Sequence, residues 1–318
     1  HNLKEKINNS RDLASLSEKI QILEREITLF HADLVKKIIK ESESDLDLIG
    51  FHGQTIFHNA KEKISKQLGD GKLLSTLTKK TVVYDFRQND LKNGGQGAPL
   101  TPIFHKLLKI KFKIKKATFI NIGGIVNITS VSDDNKMSGT DIGPGMCLID
   151  RWMRQRSKKN YDENGIISKS GTVNKKALHL LLENFYEKEN NLKKRAIQSF
   201  DTKYFDFSFI ENLSLEDGAA TLMEFTVKVI ILALKSRKKF EDKIILCGGG
   251  RKNNFLVEKL KKENSNVQLI DQFGIDGDFV ESQAFGYLAI RSYLKLPISF
   301  PETTNVKKSC LGGIIIEY

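Results

Sequence analysis

Apolar residues recur at intervals of three and four positions along residues 17–39, which places them on one face of a helix. The sequence therefore predicts a long amphipathic helix, with an apolar face formed by Ile20, Leu23, Ile27, Phe30, Leu34 and Ile38. The same spacing follows residues 214–217, a stretch typical of a capping box, in which Ser214 precedes Asp217 by three positions. A second amphipathic helix is predicted there, with an apolar face formed by Leu222, Phe225, Val229 and Leu232.

Short apolar runs alternate with the helical patterns and predict buried strands over residues 46–51, 81–86, 117–122, 125–131 and 243–247. Gly123-Gly124 separates two of these runs, which indicates a β-hairpin. Within residues 102–116, the alternation at 109–114 favours an amphipathic strand or a connection. Further helices are predicted to begin near Cys147 and Asn253, and a last one to cover residues 279–294. Strands that alternate with helices predict an α/β fold.

Composition narrows the class of protein. The 318 residues are 40% hydrophobic and 28% charged, which provides a core of a size that suits two domains or one bilobal unit. The longest aliphatic run, residues 229–234, is far shorter than the ~20 residues that span a bilayer, and no apolar leader opens the chain. Three widely separated cysteines favour reduced thiols. We therefore expect a cytoplasmic protein without a membrane partner.

The chain is basic, with 51 Lys and Arg against 39 Asp and Glu, a net charge of +12. The lysines are spread along the chain, so we interpret them as solvated surface and expect no nucleic-acid partner. Several catalytic signatures are missing from the sequence, namely the P-loop, the dinucleotide-binding G-x-G-x-x-G, H-E-x-x-H and G-x-S-x-G. These absences disfavour P-loop enzymes, Rossmann dehydrogenases, zincins and α/β-hydrolases.

Glycine is concentrated after three predicted strands, in residues 121–127, 141–145 and 247–253. Glycine lets backbone N–H groups approach an anion closely, and open α/β sheets bind ligands at the carboxyl ends of their strands. Each cluster alone is more often a simple turn. Three such clusters in one chain favour a ligand that carries phosphate.

Asp141 lies in a glycine-bounded stretch, where a rigid loop could hold its carboxylate as a general base. The alternative is a turn residue that caps the helix from Cys147. Glu281, at the start of the last predicted helix, could cap that helix or reach a ligand.

Other polar residues are candidates for binding a polar ligand. Arg87 and Asp90 could bind one, or could form the salt bridge on a turn that is the commoner arrangement. His52 and Gln54 could bind sugar hydroxyls or fix a loop.

Taken together, seven segments resemble the anhydro-N-acetylmuramic acid kinase family of the actin-like ATPase superfamily, in the family's order. They are Ile49 to His58 (IGFHGQTIFH), Asp85 to Asp90 (DFRQND), Gly94 to Leu100 (GGQGAPL), Asn121 to Asn127 (NIGGIVN), Asp141 to Gly145 (DIGPG), Cys247 to Gly250 with Asn253, and Glu281 to Phe285 (ESQAF). The resemblance implies two ribonuclease-H-like lobes flanking a nucleotide-binding cleft. We expect the first lobe to comprise residues 1–116 and 296–318, and the second residues 117–295.

The resemblance also implies the activity. ATP with Mg²⁺ would phosphorylate the 6-oxygen of 1,6-anhydro-N-acetylmuramic acid while water opens the anhydro bond. The product would be N-acetylmuramic acid 6-phosphate, used in bacterial peptidoglycan recycling. A homodimer is left open, and we expect Mg²⁺ to be carried by ATP, with no metal ligands identified in the chain.

Site residues follow from the matching motifs. Asp141 would be the catalytic base. The sugar would be bound by His52, Gln54, Thr55, Arg87, Asp90, Gln96, Gly97 and Glu281. ATP would be bound by Asn121, Gly123, Gly124, Asn127, Gly143, Gly145, Gly248, Gly249, Gly250 and Asn253.

Two departures from the family pattern leave alternatives open. Met146 stands where the family has Asn, which removes an amide donor near the predicted base. The family's first phosphate loop, Met-Ser-Gly-Thr-Ser-x-Asp-Gly, does not occur in the 318 residues, so we expect the first lobe to lack its N-terminal strands here. The alternatives are a kinase for another sugar and a non-catalytic protein that binds sugar or nucleotide.

Overall fold

The computed structural model describes residues 6–7, 9–42, 45–194, 205 and 207–318. Its helices are α1 (Ser10–Ser15), α2 (Ser17–Glu41), α3 (Gly71–Thr78), α4 (Gln88–Lys92), α5 (Pro102–Lys111), α6 (Cys147–Arg156), α7 (Ile166–Ser170), α8 (Lys175–Lys194), α9 (Leu215–Ser236), α10 (Asn254–Glu263), α11 (Val280–Tyr293) and α12 (Pro301–Thr304). Its strands are β1 (Leu48–Phe51), β2 (Gln54–Asn59), β3 (Ile64–Leu68), β4 (Thr81–Tyr84), β5 (Ala117–Ile122), β6 (Ile125–Val131), β7 (Met137–Pro144), β8 (Lys243–Cys247), β9 (Val267–Leu269) and β10 (Ile314–Ile316). No helix in the described ranges is long and apolar enough to cross a membrane.

Contacts divide the chain into two units. Unit 1 comprises residues 1–104 and 281–318, and unit 2 comprises residues 105–280. Both boundaries differ from those predicted, because two helices pack elsewhere than expected. The ring of His105 in α5 stacks on Phe119 of β5, with centroids 4.7 Å apart. The ring of Phe285 in α11 lies 4.1 Å from that of His52, which places this helix with unit 1.

Unit 2 contains a five-stranded sheet in the order β7-β6-β5-β8-β9. The first three strands are antiparallel, and β8 and β9 continue the sheet parallel to β5. Numbered within the unit, the order is 3-2-1-4-5, which is that of a ribonuclease-H-like lobe. The predicted α/β class and the predicted hairpin at Gly123-Gly124 are confirmed.

Helix α9 packs against β7 of this sheet and is buried along most of its length. Its N-terminus is capped by the Ser214 hydroxyl, which accepts a hydrogen bond from the Asp217 amide at 3.0 Å. The helix contributes Leu222, Phe225 and Val229 to the buried core of unit 2, as predicted, whereas Leu232 is exposed.

Unit 1 contains a three-stranded sheet and a separate hairpin of β2 and β3. In the sheet, β4 is central, with β1 parallel and β10 antiparallel to it. Helix α11 packs directly on β1. The two elements are so close at Gly50 that a Cβ atom there would lie 2.7 Å from the Phe285 carbonyl oxygen.

Two predictions about secondary structure need correction, and the first concerns a helix. Helix α2 forms as predicted, but the second half of its predicted apolar face, Phe30, Leu34 and Ile38, is exposed. The helix turns Thr28 and Ala32 inward instead, and the Thr28 hydroxyl accepts a hydrogen bond from the Asp70 amide at 3.0 Å.

The second correction concerns the alternating stretch 109–114, which is not a strand. Residues 109–111 continue α5, and residues 112 and 113 form a turn. Lys109 is buried within this helix, where its ammonium group donates to Asn135 Oδ1 at 2.8 Å. The alternating pattern suggested that Lys109 is a solvent-exposed position of a strand, whereas Lys109 is a buried position of a helix. Residues 155–205 are charged, and their sequence predicts helix in places; of these, residues 195–204 lie outside the described part of the chain.

Candidate active site

Three polar residues face one another across three adjacent strands of unit 2. Asn127 of β6 pairs with Asn121 of β5 on one side and with Asp141 of β7 on the other. Directly opposed residues in antiparallel strands have Cβ atoms about 4.5–5.5 Å apart and share a face of the sheet. All three are partly exposed, whereas the alternate residues Ile120 and Ile122 are buried in the core. We name Asn121, Asn127 and Asp141 the polar row.

A β-bulge sets the position of Asp141 in this row. Val126 pairs with Gly143 and Asn127 with Asp141, so β7 has one extra residue, Ile142, at this point. A bulge bends its strand and redirects side chains, which is a common device beside active sites. Asp141 therefore lies within a strand, and the predicted loop position is wrong.

The alternative interpretation of Asp141, as a cap of the following helix, is also wrong. The N-cap residue of α6 is Met146, five positions after Asp141, and the Met146 side chain forms no capping hydrogen bond. The family's Asn, an amide donor at this position, is thus replaced by a side chain that leaves the helix end without a side-chain cap.

The tip of the β5–β6 hairpin is bonded to the turn that precedes α6. The Gly145 amide donates to the Gly124 carbonyl at 2.8 Å, and the Met146 amide donates to the Gly123 carbonyl at 2.9 Å. A Cβ atom at Gly123 or Gly124 would make only an ordinary van der Waals contact, at 3.5 or 3.6 Å, so packing within the unit does not require glycine at either position.

The two glycines after Asp141 have a different function. A Cβ atom at Gly143 would lie 2.7 Å from Val229 Cγ1, and one at Gly145 would collide with the Gly123 carbonyl. Packing within unit 2 explains both glycines. Their predicted contact with ATP stays a prediction.

Glycines 248–250, which we name the glycine turn, divide in the same way. Gly248 has a left-handed φ of +78° and approaches Asn121, and Gly250 packs against Ile122. Gly249 has no neighbour within 4 Å of its Cβ position, so it alone presents an open surface.

Asn253, predicted to bind ATP, has two protein partners, and its contact with ATP stays a prediction. Its Oδ1 caps α10 by accepting from the Leu256 amide at 3.0 Å, and its Nδ2 donates to the Asp162 carbonyl at 3.2 Å. The buried side chain thus connects the N-terminus of α10 to the segment that contains Asp162.

Asp150, in the first turn of α6, is a residue that the sequence interpretation missed. Burial raises the pKa of its carboxyl to about 6, Arg154 opposes this effect, and the charge of Asp162 adds to it. Burial and, secondarily, the Asp150 charge raise the pKa of Cys147, whose Cβ lies 3.6 Å from the Cβ position of Gly124. The sequence did contain a signal for this pair, because residues three positions apart on a helix, such as Cys147 and Asp150, are neighbours on its surface.

In unit 1, Arg87 connects two segments of the predicted sugar site. Its Nε and Nη2 lie 3.1 and 3.0 Å from His52 Nε2, and its Nη1 donates to the Gly97 carbonyl at 2.8 Å. His52 Nδ1 lies 2.9 Å from the Gly53 carbonyl, so Nδ1 carries the proton and Nε2 accepts. Burial and, secondarily, the Arg87 charge lower the pKa of His52 to about 4, which keeps the ring neutral.

Asp90 is completely buried beneath the loop that contains Gly97. One carboxylate oxygen accepts from the Gly97 amide at 2.6 Å, and the other accepts from the Thr304 hydroxyl at 2.6 Å. Because both oxygens have protein partners, the geometry makes Asp90 a residue that holds the loop. Gln96 is bound to Thr304 as well, since the backbone N–H of Gln96 donates to the Thr304 carbonyl at 2.7 Å.

The remaining predicted sugar ligands lie at the margins of this cluster. Glu281 is exposed in the first turn of α11, and its charge raises the pKa of Arg87 against the larger lowering by burial. Gln54 and Thr55 begin β2, where Gln54 is exposed and the Thr55 hydroxyl accepts from Gln67 Nε2 at 3.1 Å. The structure thus brings together His52, Arg87, Asp90, Gln96 and Gly97, with Gln54 and Thr55 on the neighbouring hairpin.

His58 is a second residue that the sequence interpretation missed. Its Nδ1 lies 2.9 Å from the Ser65 hydroxyl, and its Cε1 lies 3.0 Å from the Cβ position of Gly97. Burial and the Arg87 charge lower its pKa, as they do for His52. Its place as the last residue of the motif 49–58 was the signal for it.

Comparison with known proteins identifies the family. The family model described as "Anhydro-N-acetylmuramic acid kinase" matches residues 1–317. The chain belongs to this family. It is 52% identical to the anhydro-N-acetylmuramic acid kinase of Pelagibacter ubique (strain HTCC1062), over 99% of this chain and 86% of that protein.

Other members of the anhydro-N-acetylmuramic acid kinase family are more distant. The one from Brucella canis is 36% identical over 96% of this chain and 83% of its own length, and the one from Methylobacterium nodulans is 37% identical over 92% and 78%. Among solved structures, the activator of 2-hydroxyisocaproyl-CoA dehydratase from Clostridium difficile with bound ADPNP is similar at a TM-score of 0.36 and 15% identity. That alignment covers 57% of this chain and 63% of the other, so the fold assignment rests on the strand order of unit 2.

Proposed function

We propose that this chain is an ATP-dependent kinase of 1,6-anhydro-N-acetylmuramic acid, with Asp141 as its catalytic base. The observation that carries the assignment of the base is the polar row, in which Asp141 is aligned with two asparagines at the carboxyl end of β5. Membership of the family supports the reaction, and it disfavours both a kinase for another sugar and a non-catalytic binding protein.

The proposed reaction needs one proton acceptor. Asp141 accepts a proton from water, whose oxygen forms a bond to C1 of the sugar as the bond between C1 and the 6-oxygen breaks. The 6-oxygen forms a bond to the γ-phosphorus, and the bond between that phosphorus and the leaving ADP oxygen breaks. No protein acid is required, because phosphorus captures the departing oxygen. The products are N-acetylmuramic acid 6-phosphate, ADP and a proton.

The glycines with open surfaces fit the phosphates and the nucleotide. Gly123 and Gly124 at the hairpin tip allow backbone approach to phosphate oxygens, and Gly249 offers an open surface to the adenosine end. Within the described residues, no group of three or more His, Cys, Asp or Glu could hold a metal ion. Mg²⁺ would be carried by the ATP phosphates, where it would keep several water ligands. When bound, Mg²⁺ neutralises phosphate charge.

In unit 1, the neutral His52 and the guanidinium of Arg87 form the centre of the proposed sugar site. Arg87 suits recognition of the sugar's lactyl carboxylate, since a guanidinium binds a carboxylate through two parallel hydrogen bonds. Asp90 and Gln96 support this site by fixing the Gly97 loop.

The product suits bacterial peptidoglycan recycling, and we propose a cytoplasmic location because ATP is the phosphate donor. A homodimer is a further proposal. Light scattering of the purified chain at several concentrations tests it, and a monomer mass throughout would contradict it.

The decisive experiment compares Asp141→Asn with the wild type in an assay of ADP release with the anhydro sugar and Mg²⁺. We expect the variant to bind ATP normally and to lose about 10²–10⁴-fold in kcat, the usual contribution of a general base. Asp134→Asn, a change at an exposed carboxylate, is the matched control. Retained activity of Asp141→Asn would exclude Asp141 as the base, and a wild-type chain that consumes no ATP with the sugar would refute the kinase.

A further inference from the structure

A buried arginine follows the glycine turn directly and is surrounded by carboxylates. The Arg251 side chain is 4% exposed, and its guanidinium lies 2.9 Å from Asp271, 2.9 Å from Asp278 and 3.6 Å from Asp276. All three carboxylates belong to residues 271–278, which we name the acidic loop. Gly277 of this loop packs against the guanidinium, where any Cβ atom would collide with it.

The same guanidinium also binds the glycine turn itself. Arg251 Nη1 donates to the Gly248 carbonyl at 3.1 Å while it donates to Asp278 at 2.9 Å. Nε and Nη2 donate to the two carboxylate oxygens of Asp271 at 2.9 and 3.2 Å. Arg251 is therefore a bridge that connects the carbonyl of Gly248 to the acidic loop.

We propose that Arg251 is a positioning residue for nucleotide binding, which fixes the conformation of the glycine turn so that Gly249 presents its open surface to ATP. This proposal rests on the proposed function, in which the glycine turn binds the adenosine end. Three successive glycines have more backbone freedom than any other tripeptide, and a ligand that must order them loses affinity. A buried guanidinium with paired carboxylates provides that order before the ligand arrives.

Lysine is not expected to replace Arg251. The planar guanidinium has five N–H donors in a fixed arrangement, which matches two carboxylates and one carbonyl at the same time. An ammonium group is a point charge and does not reproduce the bidentate contact with Asp271. Arg251→Lys thus keeps the charge and loses the geometry, which separates positioning from electrostatic attraction of ATP.

The test measures binding of the fluorescent analogue 2′/3′-O-(N-methylanthraniloyl)-ATP to the full chain. We expect Arg251→Lys to weaken binding about tenfold or more, the effect of losing one or two charge-assisted hydrogen bonds. KM for ATP should rise by a similar factor, with KM for the sugar unchanged. Lys252→Ala is the matched control, because Lys252 is exposed and contacts the acidic loop only through Asp278, and it should bind within twofold of wild type.

Asp271→Asn is the second variant, since it keeps Arg251 and removes the charge of its bidentate partner. We expect it to weaken nucleotide binding in the same direction in a chain that still folds, which a thermal unfolding curve with a single cooperative transition would show. The proposal is overturned if Arg251→Lys and Asp271→Asn both fold and bind the analogue as tightly as wild type, or if the KM values for ATP and for the sugar rise equally. A wild-type chain that binds the analogue without phosphorylating the sugar would refute the proposed kinase and leave the binding test of Arg251 intact.

Discussion

His52 accepts, at Nε2, hydrogen bonds from Nε and Nη2 of Arg87, at 3.1 and 3.0 Å. The contact requires a neutral ring, and the pKa of His52 is lowered to about 4, first by burial and then by the Arg87 charge. The two residues thus form one unit in which burial and the Arg87 charge keep the His52 ring neutral, and the His52 ring orients the guanidinium.

Replacing Arg87 by Ala should lower kcat/KM for the anhydro sugar about 100-fold or more. Nucleotide binding should be retained. The reason is that a charge-assisted contact contributes about 1.5–3 kcal/mol and Arg87 holds both His52 and the Gly97 carbonyl. NMR titration should also find the pKa of His52 raised towards 6.5. Arg11→Ala, at an exposed position, is the control, and an unchanged His52 titration would contradict the prediction.

Asp90 and Thr304 should be coupled in stability. Asp90→Asn leaves an amide facing a donor in a buried site, so we expect a loss of about 2–4 kcal/mol in the free energy of unfolding. Thr304→Val should cost about 1–2 kcal/mol, and the double variant should lose less than the sum, with a coupling of at least ~0.5 kcal/mol. Urea denaturation measures all four proteins. Additive losses would show that Asp90 does not depend on Thr304.

Two adjacent glycines provide a matched pair of variants. Gly250→Ala should lower the free energy of unfolding by about 1–3 kcal/mol, because its Cβ would lie 2.8 Å from Ile122 Cβ. Gly249→Ala should change stability by less than ~1 kcal/mol, since nothing lies within 4 Å of its Cβ position, and should instead weaken ATP binding. Thermal unfolding and nucleotide titration separate the two effects. Equal ATP affinity of Gly249→Ala and wild type would remove Gly249 from the nucleotide site.

Stability should fall at mildly acidic pH because of His105. Its ring is buried, its Nδ1 has no hydrogen-bond partner among the described residues, and burial lowers its pKa to about 4. Between pH 6.5 and pH 4 the unfolded chain binds a proton that the folded chain does not, so this contribution is fully present above pH 6.5 and is lost as the pH falls.

The measurement compares urea denaturation at pH 7 and pH 5. We expect wild type to lose about 1–2 kcal/mol more than His105→Leu over this interval. His179→Ala removes an exposed histidine and should retain the wild-type pH dependence. If His105→Leu shows the same pH dependence as wild type, the prediction is wrong.

The sequence by itself determined the features that depend on neighbouring residues. The periodicity of α2, the Ser214 cap of α9 and the hairpin at Gly123-Gly124 are local, since spacing, capping chemistry and turn residues act within a few positions. The combination of motifs also identified the family, which the comparisons confirmed. Each local feature, and each motif within the combination, consists of residues that are close in the chain, so the sequence pattern shows it directly.

Only the tertiary structure decided which of the predicted residues have partners already. Asp141 aligns with Asn127 because a bulge at Ile142 shifts the register of β7, and register depends on pairing between strands. Asp90 is bound to Thr304, 214 positions away in the chain, and Gly250 owes its lack of a side chain to Ile122. Such contacts join distant segments, and no local spacing encodes them. The sequence therefore named the chemical groups, and the packing of distant segments decided which of them already have protein partners.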